Sequence, residues 1–150
     1  MKLSKFCEEN LVSFDIKAAD KDGVLEELVD LAASSNMIKN RDQLLSDVRE
    51  REELVTTGVG WGVAFPHAKT KSAKGIVIAF GRHSTGIDFD AMDHQPVSLF
   101  FLIAAPEDAI GAHLNVMARL SFLMKSAENR ERLMNAASPG DVLALMDKID

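Results

Sequence analysis

The chain has 150 residues, about one domain's length and enough to bury roughly 68–70% of the surface an unfolded chain exposes. Hydrophobic residues make up 47% and charged residues 27%, which excludes a disordered, collagen-like or highly charged tail protein. Seventeen Lys and Arg against twenty-three Asp and Glu leave a net charge of −6, so the surface as a whole does not suit the polyanionic backbone of nucleic acid.

The N-terminus MKLSKFCEEN has no apolar signal region, and Cys7 is the only cysteine. Both point to a reducing, cytoplasmic setting. Val12 to Ile16 is compatible with a first strand. Asp20 caps a helix whose stripe is Val24, Leu25, Leu28, Leu31 and Ala32, ending near Asn36. Asn40, with Gln43 three residues on, opens a second helix with Leu44, Leu45 and Val48 inward, ending about Val55. Thr56 to Gly62 reads as a glycine-punctuated loop. The short extended piece Val63-Ala64-Phe65 follows, because a residue before proline avoids helical geometry.

Gly75 to Phe80 and Val97 to Ile103 read as strands, joined by a loop from Asp88 to Gln95. The second is almost continuously apolar and belongs at the centre of a sheet; the run to Ala105 is far too short to span a bilayer. A third helix from Asp108 to about Ser126 carries apolar residues around most of its circumference and is expected to be largely buried. Ser138 with Pro139 opens a final helix with Val142, Leu145, Met146 and Ile149 inward. Strands mixed with such helices indicate a single layered α/β domain over residues 1–150, a mixed β-sheet with helices on both faces.

Chemistry is sought first at the four histidines, 67, 83, 94 and 113. None is paired at metal-ligand spacing, and no nucleophile elbow, phosphate loop or dinucleotide fingerprint is present. His67 follows Gly58, Gly60 and Gly62 and directly follows Pro66. It is either an ordinary strand-end histidine or part of a site in which glycine amides approach an anion. Trp61, in that same loop, is then expected to report occupancy of the site by its fluorescence. His113 lies on the stripe of Ile110, Met117 and Leu120, as a buried structural histidine or as part of the site. Arg51 falls on the Leu44, Val48, Val55 side of its helix. There it needs an anion, or swings to the edge to pair with Asp47. His83 and His94 are read as solvent-facing, Cys7 as a small packed group, and Arg49 to Glu53 mainly as a solvated face with Arg51 the exception. Thr56 and Thr57 are either turn hydroxyls or phosphate contacts.

The stretch Glu52-x6-Val59-Gly60-x2-Val63-Ala64-Phe65-Pro66-His67-Ala68 resembles the active-site signature of the phosphotransferase-system (PTS) enzyme IIA domains of the fructose, mannitol and nitrogen-regulatory type. The similarity continues through Gly86-Ile87-Asp88-Phe89, Gln95-Pro96-Val97, the apolar strand to Pro106 and His113-Leu114. Phe65 departs from the aliphatic residue usual there, which bears on packing and not on the chemistry.

The resemblance implies a phosphocarrier. Its His67 is the phosphoacceptor taking a phosphoryl group from the phosphohistidine of an HPr-type phosphocarrier protein, with Arg51 and His113 as the other site residues. The group then passes to the cysteine of a IIB domain, beside a membrane IIC component, or serves as a signal to regulatory protein targets. No cofactor and no metal is expected. With no IIB, IIC or HPr segment in its 150 residues, a free-standing regulatory or separate-subunit form is favoured. Two alternatives stand beside this: a module whose output is phosphorylation-dependent partner binding, and a metal-dependent hydrolase using His67 and His113.

Overall fold

A computed structural model describes residues 2–148. The position of Ile149 on the final helix lies outside the described residues. Six strands form one mixed sheet: β1 (Val12–Ser13), β2 (Gly58–Gly60), β3 (Val63–Ala64), β4 (His67–Lys69), β5 (Val77–Ile87) and β6 (Val97–Ala105). Their order is β1-β5-β6-β3-β2, with β4 also on β6. Among the described residues, five α-helices accompany them: α1 (Lys21–Ala32), α2 (Arg41–Leu54), α3 (Ile110–Met124), α4 (Ala127–Asn135) and α5 (Pro139–Met146).

The caps act as the sequence proposes. Asp20 accepts from the Gly23 amide, Asn40 from Gln43 and Ser138 from Asp141, each satisfying a first-turn donor that has no partner within its helix. α1 ends at Ala32 rather than near Asn36, because the amides of Ala33, Ser34 and Ser35 turn back onto Val29, Leu31 and Ala32. β6 is buried along its length except at Ser98, between β5 antiparallel on one side and β3 and β4 parallel on the other. Stacked and tilted rings of Phe65, Phe101 and Phe80 fill the core beneath it, with centroids 5.8 and 5.1 Å apart. Phe65 thus spends its extra volume on packing.

Helices lie on both sheet faces, as two neighbouring residues of β5 make plain, because successive residues of a strand point to opposite sides. A Cβ on Gly81 would stand 2.8 Å from Leu28 of α1, so only glycine lets that helix come so close. Arg82 points the other way and donates from Nη1 to the Leu133 and Ala136 carbonyls at the end of α4, both at 2.9 Å.

Several sequence expectations need correction. β5 runs on past Phe80 to Ile87 through a polar stretch with a register shift. His83 is not simply solvent-facing: Nε2 donates to the Ala18 carbonyl at 3.1 Å while Nδ1 accepts the Gly86 amide at 3.1 Å, which closes the irregular turn. His94 is exposed, as expected. α3 is not buried all round: His113, Val116, Leu120 and Leu123 face inward, while Ile110, Leu114 and Phe122 are more than half exposed. The helical stretch read as ending near Ser126 ends at Met124, and Ser126 caps the separate helix α4. Cys7 is buried, and burial pushes its thiol up to about 12, so it stays protonated and inert.

Candidate active site

β3 and β4 keep one register against β6, with Val63 opposite Leu99, Ala64 opposite Phe100 and His67 opposite Ile103. They are one strand interrupted at Phe65-Pro66. Proline has no N–H for the ladder, although its carbonyl still accepts from Ile103 at 3.0 Å. Phe65 turns its polar groups away from β6: its amide donates to the Thr57 carbonyl of the adjoining turn at 3.0 Å. Its carbonyl accepts from His67 Nδ1 at 2.8 Å. This bond selects the tautomer with the proton on Nδ1 and the lone pair on Nε2.

His67 lines an open cavity at this end of the sheet. α2 supplies Asp47, Glu50, Arg51 and Leu54; β4 supplies Lys69; Glu107 comes from the turn after β6; α3 supplies His113, Leu114 and Met117. The three residues singled out in the sequence therefore meet. The His67 and His113 rings are 5.3 Å apart between centroids. Arg51 donates from Nη1 to the Val55 carbonyl at 3.0 Å, which closes the end of α2. That bond is to its own helix end, while Asp47 stands on the rim of the same cavity.

Burial lowers the pKa of His67 below the ordinary value, with Arg51 and Lys69 adding to it and the Phe65 carbonyl and Glu52 opposing. His113 is lowered further, to about 4, by burial first and then by His67 and Lys69. Both rings are therefore neutral near pH 7. His113 Nδ1 is buried without a hydrogen-bond partner. Placing the proton on Nε2 is the tautomer that leaves no buried donor unsatisfied.

Sequence reasoning missed Lys69, whose signal is alternation: two residues past His67 on a strand, it faces the same side. It also misread Glu52, which is buried and not part of a solvated face. Conversely, the glycine loop does not reach the site. It is the β2–β3 hairpin, turning through Gly60, Trp61 and Gly62 at φ of 108°, 58° and 75°. The hairpin meets β6 at Leu99, where the Gly62 carbonyl accepts from Ser98 and Leu99. His67 lies four residues further along β6, about 13 Å at a strand's rise. Trp61 packs instead beneath Arg130, 5.3 Å from the ring centroid. Thr56 and Thr57 have turn roles, bonding Phe89, Gly58 and Glu52. Among the described residues, no group of three or more His, Cys, Asp or Glu is arranged to hold a metal ion.

Comparison with known proteins adds to this geometry. The family described as "Phosphoenolpyruvate-dependent sugar phosphotransferase system, EIIA 2" matches residues 5–149. The fructose-specific EIIA component of Haloferax volcanii is 41% identical over 137 residues, 89% of each chain. The fructose-specific EIIABC component of Bacillus subtilis is 33% identical over all of this chain, which spans only 24% of that protein's length. Among solved structures, the crystal structure of nitrogen regulatory protein IIA-Ntr from Neisseria meningitidis superposes with a TM-score of 0.89 at 31% identity, covering 96% of this chain and 98% of the other.

Proposed function

The chain belongs to the EIIA 2 family of the phosphoenolpyruvate-dependent sugar phosphotransferase system, a phosphotransferase component, and from that premise we propose that His67 is its phosphoacceptor. The observation that carries the reading is the 2.8 Å bond from His67 Nδ1 to the Phe65 carbonyl. It leaves Nε2 as the nucleophile before any donor arrives, so no proton need be lost in the attack.

The donor is the phosphohistidine of an HPr-type carrier. As a bond forms from His67 Nε2 to phosphorus, the P–N bond of the donor breaks and its electron pair returns to the donor imidazole. Such a transfer needs positioning and stabilisation of spread negative charge more than covalent help. Arg51 offers a planar fork to the equatorial oxygens, Lys69 a point charge, and His113 a neutral N–H. The incoming phosphoryl group also favours protonation of His113, which turns it into a charged donor once the group is in place. Exposed Leu54 and Leu114, which line the cavity, supply apolar area for a docked carrier.

From His67 the group passes to the cysteine of a IIB domain, the component named together with IIA and IIC in the Bacillus relative, on the cytoplasmic side of the membrane. A second reading, phosphorylation-dependent binding of a regulatory target, is favoured by the likeness to IIA-Ntr; capture of partners by phosphorylated and unphosphorylated protein separates it from transport. No helix among the described residues is long and apolar enough to cross a membrane.

The phosphoacceptor assignment is tested with phosphoenolpyruvate, enzyme I and HPr. One acid-labile phosphate per chain is expected, mapped to His67, and none on His67→Ala. Stoichiometric phosphorylation of His67→Ala would remove the assignment.

A further inference from the structure

Four hydrogen bonds, the first two side by side, make three successive links from the last turn of α2 to the imidazole of His67. The Glu52 carboxylate accepts from the Thr57 amide at 2.7 Å and from the Thr57 hydroxyl at 2.5 Å. The Thr57 carbonyl accepts from the Phe65 amide at 3.0 Å. The Phe65 carbonyl accepts from His67 Nδ1 at 2.8 Å. We propose that Glu52 is a positioning residue for His67: by gripping Thr57 it fixes Phe65, and with it the carbonyl that holds the proton on Nδ1. The proposal rests on the reading of His67 as phosphoacceptor, and its test below reads the ring itself.

Glu52 is 6% exposed, and a carboxylate so placed persists only when its charge is answered. The answer comes from the two Thr57 donors and from Lys21 Nζ at 3.0 Å, itself 4.7 Å from the Phe89 ring centroid. With donors from the turn and from the start of α1, the carboxylate has little freedom to move. Thr57 is held on amide, hydroxyl and carbonyl at once. Phe65 is held on its amide, on its ring against Phe101, and in its dihedrals by the following proline.

What remains adjustable is the direction of the Phe65 carbonyl, and the chain of bonds sets it. Each step enters a residue through its N–H and leaves through its C=O, which belong to different peptide groups. The series therefore transmits position and not polarisation. The Glu52 charge also acts directly, opposing the lowering of the His67 pKa. Arg51 and Glu52 thus divide one helix turn between them: one side chain faces the cavity, and the next anchors the nucleophile from behind.

The experiment uses the full chain with ¹⁵N-labelled histidine, reading the His67 tautomer by long-range ¹H–¹⁵N correlation at a pH where the ring is neutral. It also measures the rate of phosphorylation by phospho-HPr. The unsubstituted protein should show Nδ1–H. Glu52→Ala should populate the Nε2–H form and slow transfer about ten- to hundredfold, the scale of loss from a small misplacement of a reacting group. Thr57→Val, which removes only the hydroxyl contact, should move both readouts the same way by less, and it serves if Glu52→Ala does not fold. Thr57→Ser should restore both.

Val142→Ala, in the core side of α5, supplies a destabilised control that should leave tautomer and rate unchanged. Folded Glu52→Ala or Thr57→Val with pure Nδ1–H overturns the proposal. So does a slower rate with an unchanged tautomer, since Glu52 would then act on the fold and not on the ring. If His67 is not the phosphoacceptor, the unsubstituted protein takes no phosphate there, yet the tautomer response still decides the role of Glu52.

Discussion

Arg51 combines two tasks in one guanidinium, closing the end of α2 through the Val55 carbonyl and lining the cavity beside His67. Its removal should therefore separate them by magnitude. Arg51→Ala should slow phosphoryl transfer by about 10²–10³, the cost of one lost charge-assisted donor, yet lower stability by only about 0.3–1 kcal/mol for the helix-end contact. Arg51→Lys should recover part of the rate, since an ammonium keeps the charge and loses the fork. Transfer kinetics and denaturation midpoints on both variants check this, and an unimpaired Arg51→Ala takes the residue out of the site. His113 makes its own statement through pH. Its pKa is depressed from 6.5 to about 4 in the folded protein, so as pH falls below 6.5 the unfolded chain takes up the proton first. The stability associated with a neutral, buried His113 is whole above pH 6.5 and declines toward pH 4, by up to about 3 kcal/mol. The stability difference between the unsubstituted protein and His113→Asn should narrow or reverse along that interval; parallel pH curves would contradict the shift. These residues were legible in the sequence because each broke a pattern, a cation on an apolar stripe or an imidazole on a core stripe. Lys69 broke none.

At the level of elements, legibility followed how local the cause is. Asp20, Asn40 and Ser138 were found because a cap is settled within four residues. Central β6 was found because burial on both faces leaves a continuous apolar run. α4 escaped because of its inner positions only Asn129 and Leu133 are buried. It is held from outside, by Arg82 on its last carbonyls and by Arg130 reaching back to Met124 and Lys125, contacts between residues far apart in sequence or in different elements. The polar half of β5 escaped for a related reason: its strand geometry comes from pairing with β6 and from the His83 bonds, and not from its own side chains. α3 misled in the other direction. Apolar Ile110, Leu114 and Phe122 on its outer side stay exposed, and periodicity alone does not distinguish such a surface from core.

Across the whole molecule, the two features that the sequence placed in one loop stand at different ends of β6. His67 is paired with Ile103, whereas the Trp61 hairpin meets the strand near Leu99, with the Arg130 guanidinium of α4 over its indole ring. The single tryptophan should accordingly be silent to phosphorylation: its emission maximum and quenching should stay constant when the phosphate is verified by mass, while Arg130→Ala alone should change them. An emission change on phosphorylation that persists in Arg130→Ala would mean that the hairpin moves with the site. The sheet also has a far edge, β1, across β5 and β6 from β4. Near it the beginning and end of the described chain are tied together, with the Ser4 amide and hydroxyl both donating to Asp147 of the turn after α5 at 2.9 and 2.5 Å. A polypeptide entering and leaving the fold by that clasp needs little length to bridge the two points, and it leaves the His67 edge uncovered. The fold is thereby suited to being spliced into a longer protein, or grafted between other modules, with its cavity still open to a visiting partner.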